Sequence, residues 1–299
     1  MRDVSSKVSS LRTAVARSVV KVSPISIQLI REGNVPKGDP LPVARVAAIQ
    51  AVKNTPQLIP YCHTVPIDYV RVDFEIGEDS IASVVTVKSI YKTGVEMEAM
   101  AGAMVAALNF YDILKMVDDT MSVTSVTLED KQGGKSSIKS PSGWTFAVLV
   151  ASDRASAGEY EDSTGPVLQA RLVEFGGSNK GFAVVPDEPG LIREQILSWI
   201  SQDIDVIVTT GGTGLGPRDV TSDVVGSLLD KELPGVQAHF AAYGQARNPM
   251  AMLGRPRAGL AENSLIIALP GSKGAVQEGL DALFPYVLHA LDARKGCGH

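Results

Sequence analysis

Apolar and polar positions follow two different rhythms along the chain. In the first half, Val70, Val72, Phe74 and Ile76 alternate with Arg71, Asp73 and Glu75, which predicts a strand with one wet face. GED then turns the chain, and SIASVVTVKS pairs back as a hairpin. Upstream, ARSVVKVS predicts a strand and ISIQLIREG a short helix stopped by Gly33. PLPVARVAAIQAVKN, with proline near its start, predicts a second helix. A long helix is predicted from about Gly94 to Asp118, followed by a strand in MSVTSVTLED. The second half has near-continuous apolar runs instead: TFAVLVASD, FAVVPDE, IDVIVTTGG and SLIIALPGS. Helical stretches such as GPVLQARLVEFGG and LIREQILSWIS separate them.

The first rhythm, β-α-β-β-α-β, fits an α+β ferredoxin-like layer with helices on one face of an antiparallel sheet. The second predicts an α/β unit with a mostly parallel sheet covered on both faces. Between them, KQGGKSSIKSPSGW is rich in Gly, Ser, Lys and Pro and has no apolar period, so it predicts a linker. A boundary near Ser142 gives domains 1–142 and 143–299. Two domains also suit 299 residues at about 150 per domain.

Composition narrows the class. Hydrophobic residues make up 44% and charged residues 20%, as in globular proteins. The net charge of −5 argues against nucleic-acid binding. Cys62 and Cys297 are too few for a disulfide framework, and the four histidines (His63, His239, His289, His299) are scattered, with no zinc spacing. The N-terminus lacks the apolar core of a secretory signal, and no apolar run approaches the eighteen or so residues of a membrane span. These features predict a soluble, cytoplasmic chain with no membrane partner.

In parallel sheets, ligands sit beyond the C-terminal strand ends. Those ends read SDRAS, PDE, TTGGTGLGPRD and PGSKG. GGTGLG, from Gly211 to Gly216, nominally matches a dinucleotide loop. It follows the third apparent strand rather than the first, and no strand ends in an acid about twenty residues later, so a nicotinamide oxidoreductase is a poor reading. GGKS at Gly133 to Ser136 is no P-loop, because Glu129 stands where a glycine is needed. Glycine N–H groups can still approach an anion closely beside a helix N-terminus, for which Thr221 is a candidate N-cap. A tight turn without a ligand is the plain alternative.

Three further segments share this rim: SDRASAGEYEDSTGP, PDE and LPGSKGAVQEGL. With TTGGTGLGPRDVT they resemble the molybdopterin adenylyltransferases across the whole second half. That resemblance implies transfer of AMP from ATP, with Mg2+, to molybdopterin. It places the essential acids at Asp187 and Asp219, which would also hold the metal, since magnesium prefers oxygen ligands and bridges phosphates. Gly211, Gly212, Thr213 and Gly214, together with Pro270, Gly271, Ser272 and Lys273, would hold phosphate oxygens. The plain alternatives are a solvated strand end for Asp187 and a loop acid paired with Arg218 for Asp219; helix-dipole stabilisation suffices for Asp223. A non-catalytic pterin-binding or scaffolding module is the competing function.

The first half carries Lys37 and Lys53, His63, Glu96 and Glu98, Asp112 and Lys115, and Lys131 and Lys135. This mixture suits proton transfer on a polyanionic substrate. Plainer readings are a structural histidine and an ordinary exposed Asp112–Lys115 pair. CHTVPID, KTGVEMEA and NFYDILKMVDD resemble cyclic pyranopterin monophosphate synthase over almost the whole first half. That family converts the cyclised dihydro-GTP intermediate to cyclic pyranopterin monophosphate, releasing pyrophosphate without a redox cofactor. The resemblance puts Lys37, Lys53, His63, Glu96, Glu98, Asp112, Lys115 and Lys131 in the active site, with Asp112 orienting Lys115. Thr64, Tyr91 and KQGG depart from the family pattern without removing a charged group.

Glu98 and Asp112 are fourteen residues apart on one predicted helix, roughly 21 Å at 1.5 Å per residue. AMAGAMVAAL between them is built of small residues, so it predicts an interface or deep core. A two-fold dimer would bring the two ends together. The resemblances imply a homo-oligomer, and a hexamer would satisfy both halves.

Overall fold

The computed structural model describes residues 1–134, 141–159 and 161–296. The middle of the expected linker, Lys135, Cys297 and His299 lie outside them. Two compact units divide the chain, residues 1–137 and 138–299.

The first unit runs β1 (Ser10–Lys21), α1 (Pro24–Glu32), α2 (Pro40–Leu58), β2 (Tyr69–Ile76), β3 (Ser80–Tyr91), α3 (Glu96–Leu114) and β4 (Ser122–Gln132). The sheet order is β2-β3-β1-β4, antiparallel throughout. Ser23 caps α1 by accepting the Ser26 N–H, and Gly33 ends it in the left-handed region at φ 68°. Along β1, Ala14, Ala16, Ser18 and Val20 are buried. The Ser18 hydroxyl donates to the Ala103 carbonyl of α3 at 2.7 Å. Within α3, Ala99, Gly102, Ala103, Ala106 and Ala107 are buried. A methyl at Gly102 would come within 2.7 Å of Val52 and 3.1 Å of Val85, so α3 lies pressed against both α2 and the sheet. The small-residue stretch is therefore core within one chain.

Helix α3 is long and apolar enough, by length and composition, to cross a membrane. Its uncharged stretch is bounded by Glu98 and Asp112. Its small face fills the first unit's core, and Phe110 meets Phe74 edge-on at 5.1 Å, so its apolarity is that of a core helix. The helix is also shorter than expected at both ends.

The second unit runs β5 (Thr145–Ala151), α4 (Asp153–Ser156), α5 (Thr164–Glu174), β6 (Ser178–Val185), α6 (Pro189–Ile200), β7 (Val206–Thr210), α7 (Thr221–Leu228), β8 (Lys231–Glu232), α8 (Pro234–Gln245), β9 (Arg257–Ala261), β10 (Ser264–Leu269), α9 (Lys273–Leu283) and α10 (His289–Ala293). The sheet order is β6-β5-β7-β10-β9-β8. The first four strands are parallel, β9 runs antiparallel to β10, and β8 runs antiparallel to β9. Ala147, Leu149 and Ala151 pack against Ile192, Ile196 and Val225, while Phe146, Val148 and Val150 are buried as well. A strand buried on both faces explains the unbroken apolar runs. Strand order reverses between β5 and β7, which places a crevice at their C-terminal ends.

Candidate functional site

In the first unit the charged groups gather at the two ends of α3. At the C-terminal end, Lys37 Nζ donates to the Asp112 carbonyl at 2.9 Å and to Asp112 Oδ2 at 3.1 Å. Lys115 Nζ pairs with Asp112 Oδ1 at 2.7 Å. Both of that carboxylate's oxygens are thus held by lysines. Lys115, with Lys37, holds the Asp112 carboxyl below its usual range, and Asp112 raises the Lys115 ammonium. The lysine is kept protonated, a state suited to binding phosphate or giving up a proton.

At the other end, Glu96 and Glu98 open α3, and Lys131 Nζ lies 3.9 Å from Glu96 Oε1. Glu98 is only 3% exposed. Burial, with the Glu96 charge adding, pushes its carboxyl up. Burial and the Glu98 charge also raise the Cys62 thiol, next to half-buried His63. Lys53 is exposed on α2 and joins neither group by an ion pair among the described residues. The chain therefore presents Lys37, Asp112 and Lys115 at one end of α3, and Glu96, Glu98 and Lys131 at the other.

The second unit builds its site from backbone. Gly211 (φ 95°) and Gly212 (φ 61°) adopt conformations that a side chain would strain. A Cβ on Gly211 would also strike the Ala151 carbonyl. Gly271 packs against Gly211, and Thr210 Oγ1 donates to the Pro270 carbonyl at 3.0 Å, which ties the glycine loop to the Pro270–Gly271 turn. Ser272 Oγ accepts the Ala275 N–H and caps α9, while Lys273 is exposed at its first turn. Thr210, Gly211, Gly271, Ser272 and Lys273 face a cavity of about 220 Å³ with Ser152 and Asp162. Gly211 through Gly214, Asp219 and Pro270 line a neighbouring space of about 500 Å³.

Asp187 is no solvated strand end. Its Oδ2 accepts the Asp153 N–H at 3.0 Å, and its own N–H donates to Asp153 Oδ1 at 2.9 Å. Its Oδ1 is buried without a partner. Burial raises this carboxyl, against the Asp153 N–H, and the charges of Asp153 and Asp219 add to the rise. Asp219 is not paired with Arg218. Its Oδ2 accepts the Gly216 N–H at 2.8 Å. Arg218 instead forks onto Asp153 at 3.0 and 2.7 Å and reaches Glu188 at 2.7 Å. One guanidinium thereby joins the loops that follow β5, β6 and β7.

Thr221 is also not the N-cap expected of it. It is the first residue of α7, its hydroxyl makes no cap bond, and its Oγ1 is buried without a partner. Sequence reasoning overlooked Arg255, which donates to the Gly214 carbonyl at 2.9 Å and the Asp219 carbonyl at 2.7 Å, and pairs with Asp223 at 2.9 Å. No local pattern around RPRAG marks that role.

Residues 1–134 match the MoaC family, and residues 147–289 match the probable molybdopterin binding domain. The chain is 42% identical to a molybdenum cofactor biosynthesis bifunctional protein of Chlorobaculum tepidum, over all of this chain and 96% of that protein. It is 46% identical over 136 residues, 46% of this chain, to the cyclic pyranopterin monophosphate synthase of Streptomyces avermitilis, covering 80% of that enzyme. The structure of the molybdopterin biosynthesis Mog protein from Mycobacterium ulcerans is similar over 50% of this chain and 99% of that one, with 35% identity and a TM-score of 0.49. Two fused units, each with its own cluster of charged groups, and a full-length relative identify the chain as a member of the bifunctional molybdenum cofactor biosynthesis protein family.

Proposed function

We propose that the first unit, which we read as ferredoxin-like from its β2-β3-β1-β4 order, is a cyclic pyranopterin monophosphate synthase. It converts the cyclised dihydro-GTP intermediate to cyclic pyranopterin monophosphate and releases pyrophosphate. The observation that carries this reading is Asp112 between Lys37 and Lys115, which sets two ammonium groups side by side. Glu98 and His63 lie toward the other end of the same helix. A complete site therefore takes its Lys115 end and its Glu98 end from different subunits of a homo-oligomer. The exposed Met97, Met104, Leu108 and Tyr111 of α3 are the apolar surface such an assembly would cover. Mixing inactive His63→Ala and Lys115→Ala proteins under subunit exchange restores part of the activity if the site is shared. No recovery despite exchange puts both residues in one subunit.

The second unit, on this proposal, transfers AMP from ATP to molybdopterin, working as its partner unit does on small cytoplasmic substrates. The unpartnered Asp187 Oδ1 carries this reading. A buried carboxylate oxygen without a hydrogen bond costs free energy unless something electropositive meets it. Mg2+ suits it, because that ion needs only one or two protein carboxylates and takes its remaining oxygens from water and phosphates. When bound, Mg2+ would neutralise charge developing on the phosphates. Asp153 orients Asp187, Arg218 holds Asp153, and the glycine loop and Ser272 turn N–H groups toward phosphate oxygens. The alternative is a pterin-holding module that transfers no AMP. ATP consumption that requires both Mg2+ and molybdopterin supports transfer; its absence leaves the module.

A further inference from the structure

Two buried oxygens in the second unit lack partners at the same place. Thr221 is fully buried at the first position of α7, and its Oγ1 bonds to nothing. The Asp187 Oδ1, from the loop after β6, is likewise unpartnered. Gly212 shows how near they are. A Cβ built on it would collide with Thr221 Oγ1 and stand 3.0 Å from Asp187 Oδ1. The two oxygens thus converge on the spot that a side chain at position 212 would fill. The backbone fixes this convergence, since the Thr221 N–H donates to the Gly212 carbonyl at 2.9 Å.

A threonine hydroxyl inside a protein ordinarily finds a partner, and leaving one unmade costs roughly 1–3 kcal/mol. A capping role would have satisfied it, yet no cap bond forms. A valine would fill the same volume without that cost. The hydroxyl is therefore explained by something that joins it and Asp187 Oδ1 when the site is loaded. Both atoms are oxygens, one anionic and one neutral, which is donor chemistry for a hard divalent cation. Asp153 and Asp219 act on Asp187 through their negative charges, and Arg218 opposes them with a positive one.

We propose that Thr221 is a ligand of the second unit's divalent cation, binding through Oγ1 beside Asp187 Oδ1, next to the Gly212 backbone. This rests on the Mg2+-dependent reading of that unit and adds a residue to it. Gly212 then has a second duty besides its positive φ: a side chain there would strike Thr221 Oγ1 and crowd Asp187 Oδ1.

Mn2+ bound to the full-length protein, counted by electron paramagnetic resonance in the absence of nucleotide, tests this directly. Thr221→Val keeps shape and removes the hydroxyl, Thr221→Ser keeps the hydroxyl, and Asp187→Asn removes the charge. The expected result is Mn2+ binding weakened at least tenfold by Thr221→Val and by Asp187→Asn, and retained in Thr221→Ser. Mn2+ binding that Thr221→Val leaves unchanged while Asp187→Asn abolishes it overturns the Thr221 assignment and keeps the cation reading. A lack of saturable Mn2+ binding by the unsubstituted protein overturns both. Melting of the second unit supplies a check on folding. An apo Thr221→Val protein that melts no lower than wild type shows that lost binding is not lost structure. If Thr221→Val fails to fold, Thr221→Ala takes its place, and wild-type affinity in that variant rejects the assignment.

Discussion

Asp112 in the first unit has both carboxylate oxygens in ion pairs with exposed lysines, whereas Asp187 in the second keeps one oxygen buried and unpaired. The first arrangement consists of long side chains in water, where each pair contributes little to stability and the ammonium groups are free to re-pair with a phosphate. The second consists of short side chains fixed by backbone: Asp153 and Asp187 exchange N–H donors, and glycines bring the loops together. On the proposed reading, a site of the first kind is assembled by its substrate, and one of the second kind is built before the substrate arrives and holds a deficit that a ligand would remove.

The contrast can be broken most severely at Lys115. Lys115→Ala should lower pyrophosphate release from the cyclised dihydro-GTP intermediate on the order of 10²–10⁴-fold, the range for a positioned proton-transfer group. It should leave the melting of the first unit nearly unchanged, because the Asp112 pair is exposed. Calorimetry showing a large loss of stability would make Lys115 structural.

Phe110→Ala should do the reverse. Phe110 is fully buried against Phe74, so the change should cost the first unit about 3–5 kcal/mol in urea unfolding and leave the second unit's transition in place. A smaller effect follows at Arg218. Arg218→Ala frees Asp153 to repel Asp187, and should raise the Mg2+ concentration needed for half-maximal AMP transfer about 10–100-fold, the usual scale for residues that orient metal ligands. Arg218→Lys, lacking the fork, should recover only part of this.

The smallest effect concerns Glu98. Burial raises its folded-state pKa above the unfolded value, so ionising it opposes folding. Its contribution is harmless below the unfolded carboxyl range and becomes destabilising as pH rises towards and through the folded pKa. Each tenfold difference between the folded and unfolded acid constants is worth about 1.4 kcal/mol. Substrate-free Glu98→Gln should therefore match wild type near pH 4 and gain relative stability toward neutral pH, read from urea midpoints. A constant difference across that range would mean that Glu98 does not titrate as a buried acid.

Much of this was legible from local patterns. Gly33 stops α1, the GED turn joins β2 to β3, and unbroken apolar runs mark β5, β7 and β10, because each signal lies within a few residues. The antiparallel strand RAGLA was not, since its small residues carry neither alternation nor β-branching. Thr221 carried the local mark of a cap, yet its hydroxyl faces Gly212 and Asp187, which only the fold brings near. Arg218 and Arg255 were missed as clamps for the same reason: their partners lie 30 to 65 and 32 to 41 positions away. The ends of α3 were overextended because its apolar pattern runs on through Lys115 to Val117, beyond the last helical residue.

The central claim is that one chain carries two separate reactions, and a paired assay of two variants tests it most directly. Full-length Lys115→Ala and Asp187→Asn proteins would each be given both sets of substrates, with cyclic pyranopterin monophosphate and adenylylated molybdopterin measured in the same preparations. The account predicts that Lys115→Ala loses only the first product and Asp187→Asn only the second. Loss of both products in either folded variant, or wild-type yields of both, would contradict it.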